Sequence, residues 1–348
     1  MPLHTLPQDR VAVGARDASV LADPVTEILH TLALARTIGV AARSGIFGNL
    51  AEAPRAVPEL AAALAFQPEP LRLMLDVLAG VGLIDYHGAT YELSAQGQRW
   101  LDPDSPTSIT TLLSHTLDHW DWWAGLDDVV AGHGGACPTP DDDDEAAWLR
   151  YTRADYETAR LVAADVAAAI DLPESSGSVL DLGAGHGRFA AATCLRNPLL
   201  RATVIAAAGP VAIGREIMWE TGMDQVVTHQ VGDIDTAYLG GPYNAVICSP
   251  LALGLDAERW QTLLGRVHEA MRPDGVIAVV GAGPITAPGA DRPALEAALE
   301  LFHYVRTGGG AAVSAALPEQ LAAAGFREPV AYSLAALPGL SVQVARTI

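Results

Sequence analysis

The chain has 348 residues, half of them apolar, which is enough for two or so domains with a core in each. Its formal net charge is -20 and all 21 basic residues are arginine, which excludes lysine Schiff-base chemistry and sets the surface against nucleic acid. No apolar run reaches membrane-spanning length and the start lacks a charged-then-apolar signal, so the expectation is a soluble, cytoplasmic protein with no membrane partner.

From about Val20 to Arg43, the residues Leu21, Val25, Ile28, Leu32 and Leu34 keep helical spacing. Val57 to Leu64 predicts a short helix, Gln67 to Pro70 a turn, and Leu71 to Val81 a second helix ending near Gly82. Leu83 to Leu93 reads as a hairpin around His87-Gly88. Helix, turn, helix and hairpin make a winged-helix unit. Its second helix offers only Arg72 against Glu69 and Asp76, too little cationic charge to hold phosphates.

Ser114 to Gly132 is rich in rings: His115, His119, Trp120, Trp122 and Trp123. The two histidines, four apart, share a helix face, but no neighbouring acid supplies an evident third ligand, so no metal is expected. Cys137, Cys194 and Cys248 are too scattered for a metal pair or a disulfide framework. The acids from Asp141 to Glu145 read as a solvated loop. Trp148, Tyr151 and Tyr156 follow on a further helix, with Arg153 and Asp155 between them.

Beyond Ser178, strands are predicted at Val179 to Leu182, Ala202 to Ala206, Val226 to Val231, Asn244 to Cys248 and Val276 to Gly281, alternating with helices. That alternation means a mostly parallel sheet covered on both faces, with ligands at the carboxyl ends of the strands, where Gly183, Ala206, Asp233 and Ser249 fall. The first strand breaks into Asp181-Leu182-Gly183-Ala184-Gly185-His186-Gly187-Arg188, a glycine turn that opens a helix. Its third glycine arrives one residue too early for the dinucleotide fingerprint G-x-G-x-x-G.

This turn, together with Asp181, resembles motif I of class I S-adenosylmethionine-dependent methyltransferases. The winged-helix unit resembles the N-terminal dimerisation domain of the O-methyltransferase family of plants and bacterial natural-product pathways, and Arg272-Pro273-Asp274-Gly275 and Leu321 to Phe326 resemble later segments of that family. The resemblance implies an α/β fold: a Rossmann-like methyltransferase domain with a mostly parallel sheet at residues 173–348, a helical linker and pocket roof at 111–172, and a winged-helix dimerisation domain at 1–110. It also implies a homodimer, a small-molecule substrate, and S-adenosylmethionine held by Asp181, Gly183, Gly185, Gly187 and Asp233. His115, Trp120, Trp123, Tyr151, Asp155, Tyr156 and Leu253 would line the substrate pocket.

The chain departs from the family at three places. Ala206 stands where an acid would accept hydrogen bonds from the cofactor ribose, a loss of roughly 1.5 to 3 kcal/mol. Leu253 aligns with the histidine base, and Gly308-Gly309-Gly310 is followed by alanine rather than the supporting glutamate. The expectation is therefore a repurposed enzyme of bacterial natural-product biosynthesis performing cyclisation, elimination or rearrangement. In that reading His119 and His303 handle protons, Arg153 and Arg306 steady an anion, and S-adenosylmethionine is doubtful. Two alternatives stand beside it: a proximity-driven methyltransferase without a histidine base, and a non-catalytic scaffold subunit. A pathway partner protein is left open.

Overall fold

The computed structural model describes residues 24–133, 140, 144–173, 177–249, 255, 257–282, 294–307, 316–337 and 339–348. The N-terminal layer runs α1 (Pro24–Arg43), α2 (Ile46–Glu52), β1 (Arg55–Ala56), α3 (Val57–Leu64), α4 (Pro68–Gly80), β2 (Ile84–His87), β3 (Thr90–Leu93) and α5 (Ala95–Trp100). Leu71, Leu75 and Leu78 recur on one side of α4 and pack with Ile46, Phe47 and Leu60 into a core separate from those of the large sheet. The three strands pair antiparallel in the order β1-β3-β2. Helix α4 opens at Pro68, earlier than its sequence suggests, because prolines in a first turn lack only an N–H that has no helical partner there. Arg72 is spent on its own helix, with Glu69 at 2.8 Å and Asp76 at 2.6 Å.

Three helices connect this layer to the sheet: α6 (Thr110–Trp123), α7 (Leu126–Val130) and α8 (Glu145–Ala169). The buried Glu157 carboxylate on α8 accepts the N–H groups of Leu112 at 2.6 Å and Thr111 at 3.3 Å, which satisfies two orphan donors of α6 and pins its start to α8.

The sheet contains β4 (Ser178–Leu182), β5 (Arg201–Ala206), β6 (Val227–Val231), β7 (Tyr243–Cys248), β8 (Met271–Ala282), β9 (Phe326–Ser333) and β10 (Leu340–Thr347) in the order β6-β5-β4-β7-β8-β10-β9. The first five strands in that order are parallel, and β10 runs antiparallel to both its neighbours. Such a sheet needs cover on both sides, and the buried central strands β4 and β7 reflect that need, whereas the edge strands β6 and β9 are largely exposed. One face buries α8, α9 (Arg188–Arg196) and α10 (Ala208–Glu220) through Val166, Phe189, Ala190 and Ile217. The other buries α11 (Ala257–Glu269) and α13 (Leu317–Ala323) through Trp260, Leu264 and Leu321. Helix α12 (Ala294–Thr307) lies beside α6.

Strand β8 starts ahead of the expected Val276, and the Arg272 to Gly275 segment is an irregularity inside it. The register against β7 shifts between Tyr243 and Ala245, and Asp274 takes a φ of 58°. Thr347 Oγ1 holds the distortion, accepting the Gly275 N–H and donating to the Arg272 carbonyl. Among the described residues, no helix is long and apolar enough to cross a membrane.

Candidate active site

The parallel strands β4, β5 and β7 end together, and the turn after β4 closes over them. Gly183, Gly185 and Gly187 adopt φ values of 141°, 75° and 70°, which side chains rarely tolerate. Protein atoms fill the direction each side chain would take. A Cβ would stand 3.0 Å from Ser249 at Gly183, 2.5 Å from Pro210 at Gly185 and 3.2 Å from Val227 at Gly187. The glycines are thus required by packing before any ligand arrives.

Asp181, at 2% exposure, sits beneath the turn and accepts the Ala190 N–H of α9 at 3.2 Å. Burial pushes its carboxyl up to about 7; the Ala190 N–H opposes the shift, and the charge of Asp155 adds to it. His186 is 1% exposed, so it does not project into an open pocket. Its Nδ1 accepts the Arg188 N–H at 2.9 Å, which leaves the proton on Nε2, and Nε2 lies 3.6 Å from Asp155 Oδ2. Burial, aided by Arg188, pushes the His186 pKa down to about 3, so the ring stays neutral.

His229 on β6, a residue the sequence reading passed over, places its Nε2 3.0 Å from the Gly185 carbonyl. Burial holds it neutral as well, down to about 4. The signal was its position two residues after the buried Val227, on the same face of the strand. Ser249, the residue after β7, lies against Gly183, and its buried hydroxyl has no partner among the described residues.

Ala206 does end β5. It is 7% exposed, its methyl lies 3.1 Å from a Cβ built on Gly185, and no acid replaces it on that strand. Asp233 is exposed beyond β6, where its carboxylate accepts the Asp235 N–H at 2.7 Å and shapes the local turn.

The aromatic residues form a layer on α6, α8 and α12. His115 meets His119 edge-on at 5.0 Å between ring centroids and Tyr151 at 5.8 Å. Phe302 lies 4.7 Å from His119 and 5.5 Å from Trp123. An acid does neighbour the histidines: Asp118 Oδ2 lies 2.9 Å from His115 Nδ1, and its other oxygen accepts Arg43 Nη2 at 2.6 Å. Against the cost of burial, these two partners hold Asp118 below the usual carboxylate range. No cluster of three metal-binding side chains occurs among the described residues.

Other expected site residues fall elsewhere. Trp120 faces α1, where the Arg36 guanidinium lies 5.6 Å from its ring. Arg153 is committed to Glu220, with both bonds at 2.7 Å, and to Glu216 at 3.3 Å, so it ties α8 to α10 rather than waiting for an anion. His303 and Arg306 belong to α12, but their side chains, like Leu253 as a whole, lie outside the described residues. Tyr151 on α8 belongs to the aromatic layer, and one turn further Asp155 and Tyr156 reach the glycine turn, Tyr156 standing 6.2 Å from the His186 ring. Helix α8 therefore joins the two halves of the site.

A glycine turn after the first strand of a parallel sheet with an antiparallel strand inserted near one edge, roofed by helices from a second layer, defines a class I methyltransferase fold. The O-methyltransferase domain model matches residues 131–327, and the chain belongs to that family. N,N-dimethyltransferase OxyT of Streptomyces rimosus is 26% identical over 257 residues, covering 70% of this chain and 74% of the relative. Mitomycin biosynthesis 6-O-methyltransferase of Streptomyces lavendulae is 26% identical over 278 residues, covering 77% and 79%. Human N-acetylserotonin methyltransferase, solved in complex with SAM, superposes with a TM-score of 0.80 at 21% identity, covering 95% of this chain and 99% of that one. These findings support an enzyme of the methyltransferase family and lend nothing to the cyclase or lyase chemistry expected above. That expectation read too much into Ala206 and Leu253.

The residues present fit S-adenosylmethionine. Ser249 Oγ and His186 Nε2 are buried polar atoms without hydrogen-bond partners, at the carboxyl end where such a fold binds its nucleoside. Asp181 adds a carboxylate whose ionisation a cationic ligand would favour.

Proposed function

We propose that this chain is an S-adenosylmethionine-dependent methyltransferase acting on an aromatic small molecule of bacterial natural-product biosynthesis. One observation carries the reading: buried, unmatched polar atoms at the glycine turn adjoin, through α8, a layer of rings on α6 and α12. The bound cofactor supplies an electrophilic methyl group on its sulfonium. Asp181, Ser249 and the glycine turn would hold it, with Asp233 at the rim of the site. The rings of His115, His119, Trp123, Tyr151 and Phe302 give a planar acceptor flat apolar surface and exclude water. Ala206 weakens the ribose grip without removing the rest of the site.

With leucine at 253, the acceptor is an atom that is nucleophilic without a histidine at that position: an amine, an electron-rich carbon or an already ionised phenol. Orientation then supplies most of the rate gain. The names of the two Streptomyces relatives, one an N-methylating and one an O-methylating enzyme, support this range. The test is transfer of labelled methyl from S-adenosylmethionine to a panel of aromatic amines and phenols. Transfer to any of them supports the reading. Failure of the wild-type protein to bind S-adenosylmethionine or S-adenosylhomocysteine at millimolar concentration would sink it. The homodimer and the cytoplasmic location belong to the same proposal, and sedimentation equilibrium tests the first.

A further inference from the structure

Resting on the methyltransferase reading, we propose that His229 is the positioning residue of the cofactor turn: its ring holds the Gly185 carbonyl so that the next amide, the His186 N–H, is presented to the bound nucleoside. A carbonyl oxygen only accepts, so the 3.0 Å contact between His229 Nε2 and the Gly185 oxygen fixes the proton on Nε2. The carbonyl and the following N–H of a trans peptide point in opposite directions, so anchoring the Gly185 oxygen toward β6 aims the His186 N–H away from β6. Among the described residues nothing accepts that N–H. His186 is 1% exposed, so the amide is a buried donor without a protein partner, which folds seldom leave unmatched.

The neighbourhood leaves room for one ring and no more. A Cβ at Gly214 would come within 2.6 Å of His229 Nε2, and one at Gly187 within 3.4 Å. Glycine at both places keeps the path from β6 to the turn open for the imidazole. From α10, Arg215 Nη2 donates to the His229 carbonyl at 2.8 Å and so ties the backbone that carries the ring. Burial keeps the ring neutral; the Gly185 carbonyl opposes the shift, and Arg215 and His186 add to it. A neutral donor can thus hold the turn without placing a positive charge at a site for a cationic ligand.

The experiment is calorimetric binding of S-adenosylhomocysteine to the full chain, with urea unfolding of each variant beside it. His229→Leu keeps bulk and removes the donor, whereas His229→Gln returns an amide N–H at the reach of Nε2. His229→Leu should weaken binding by about five- to tenfold under conditions where it is folded, and His229→Gln should stay within about twofold of wild type. A role in packing alone predicts the reverse order, because leucine fills an apolar gap and glutamine does not. Wild-type affinity in His229→Leu, or a loss in His229→Gln as large as that in His229→Leu, would overturn the proposal. Should His229→Leu fail to fold, NMR of the histidine side-chain N–H groups in the wild-type chain decides. A His229 Nε2–H that is protected from exchange and shifts when S-adenosylhomocysteine is added upholds the proposal; an Nδ1–H tautomer, or a signal that does not move, overturns it. Absence of binding by the wild-type chain removes the methyltransferase reading and this inference with it, whereas wild-type binding with an unaffected His229→Leu removes the inference alone.

Discussion

The two ends of the large sheet obey opposite rules. At the amino end, polar groups close on one another: Asn244 Oδ1 accepts the N–H groups of Gly177 and Ser178, Ser178 Oγ donates to Pro242, and the Arg201 N–H donates to Gly177. At the carboxyl end, Ser249 Oγ and His186 Nε2 are buried without hydrogen bonds and Asp181 is sealed with a raised pKa. An unmatched buried polar atom costs about 1–3 kcal/mol, and these two, close together at the strand ends, are what a bound ligand would satisfy. One end of the sheet is built for stability, and the other is held short of it.

The largest expected effect comes from Gly214 on α10, where a Cβ would lie 2.0 Å from the Gly185 carbonyl. Gly214→Ala should destabilise by about 3 kcal/mol or more in urea unfolding and abolish nucleoside binding, because relief of the clash displaces the glycine turn.

Asp181→Asn should act in the opposite direction. Its folded pKa of about 7 lies above the unfolded value of 3.8, so wild type loses stability as pH rises through that window and gains it below. The ligand-free variant should therefore be more stable than wild type by ~2 kcal/mol near pH 8 and equal to it below about pH 4. His186 and His229 run the other way: held neutral with pKa values near 3 and 4, they cost stability as pH falls below 6.5. Removing Asp181 should thus steepen the acid limb of a melting-temperature profile.

At the amino end, Asn244→Ala should cost about 1 kcal/mol and leave nucleoside affinity unchanged, since it loosens only the entry to β4. An equal loss of binding in a titration would erase the contrast between the two ends. Smallest of all, Arg153→Met should lower stability by roughly 0.5 to 1 kcal/mol, because half-exposed ion pairs are screened. It should not weaken an anionic acceptor selectively in Michaelis constants measured across acceptors.

Each expected strand of the parallel sheet lies where its apolar run placed it, apart from β8, whose start Met271 lies before a proline and a glycine that ordinarily end a strand. The winged-helix order was equally legible, because turn residues and short apolar periods are local signals. The site was less so. Asp155 and His186 are 31 residues apart, and only the packing of α8 on the turn brings them together. Arg153 shows the same limit in reverse: its partners Glu216 and Glu220 are far along the chain, and nothing beside it marks it as taken. Asp118 was legible in principle, because it lies three residues from His115 on one helix face, the spacing at which an acid meets a histidine.

Strand β9 joins the sheet only through β10, although β10 follows it in the chain. While the protein is being synthesised, β9 emerges with a row of amide groups and no neighbour, and β8 waits with one side bare. The sheet can close only when the later strand slides between two that already exist. A chain paused between the two strands would therefore present open edges to other nascent chains, and slow translation across residues 334–339 should make it depend on a chaperone.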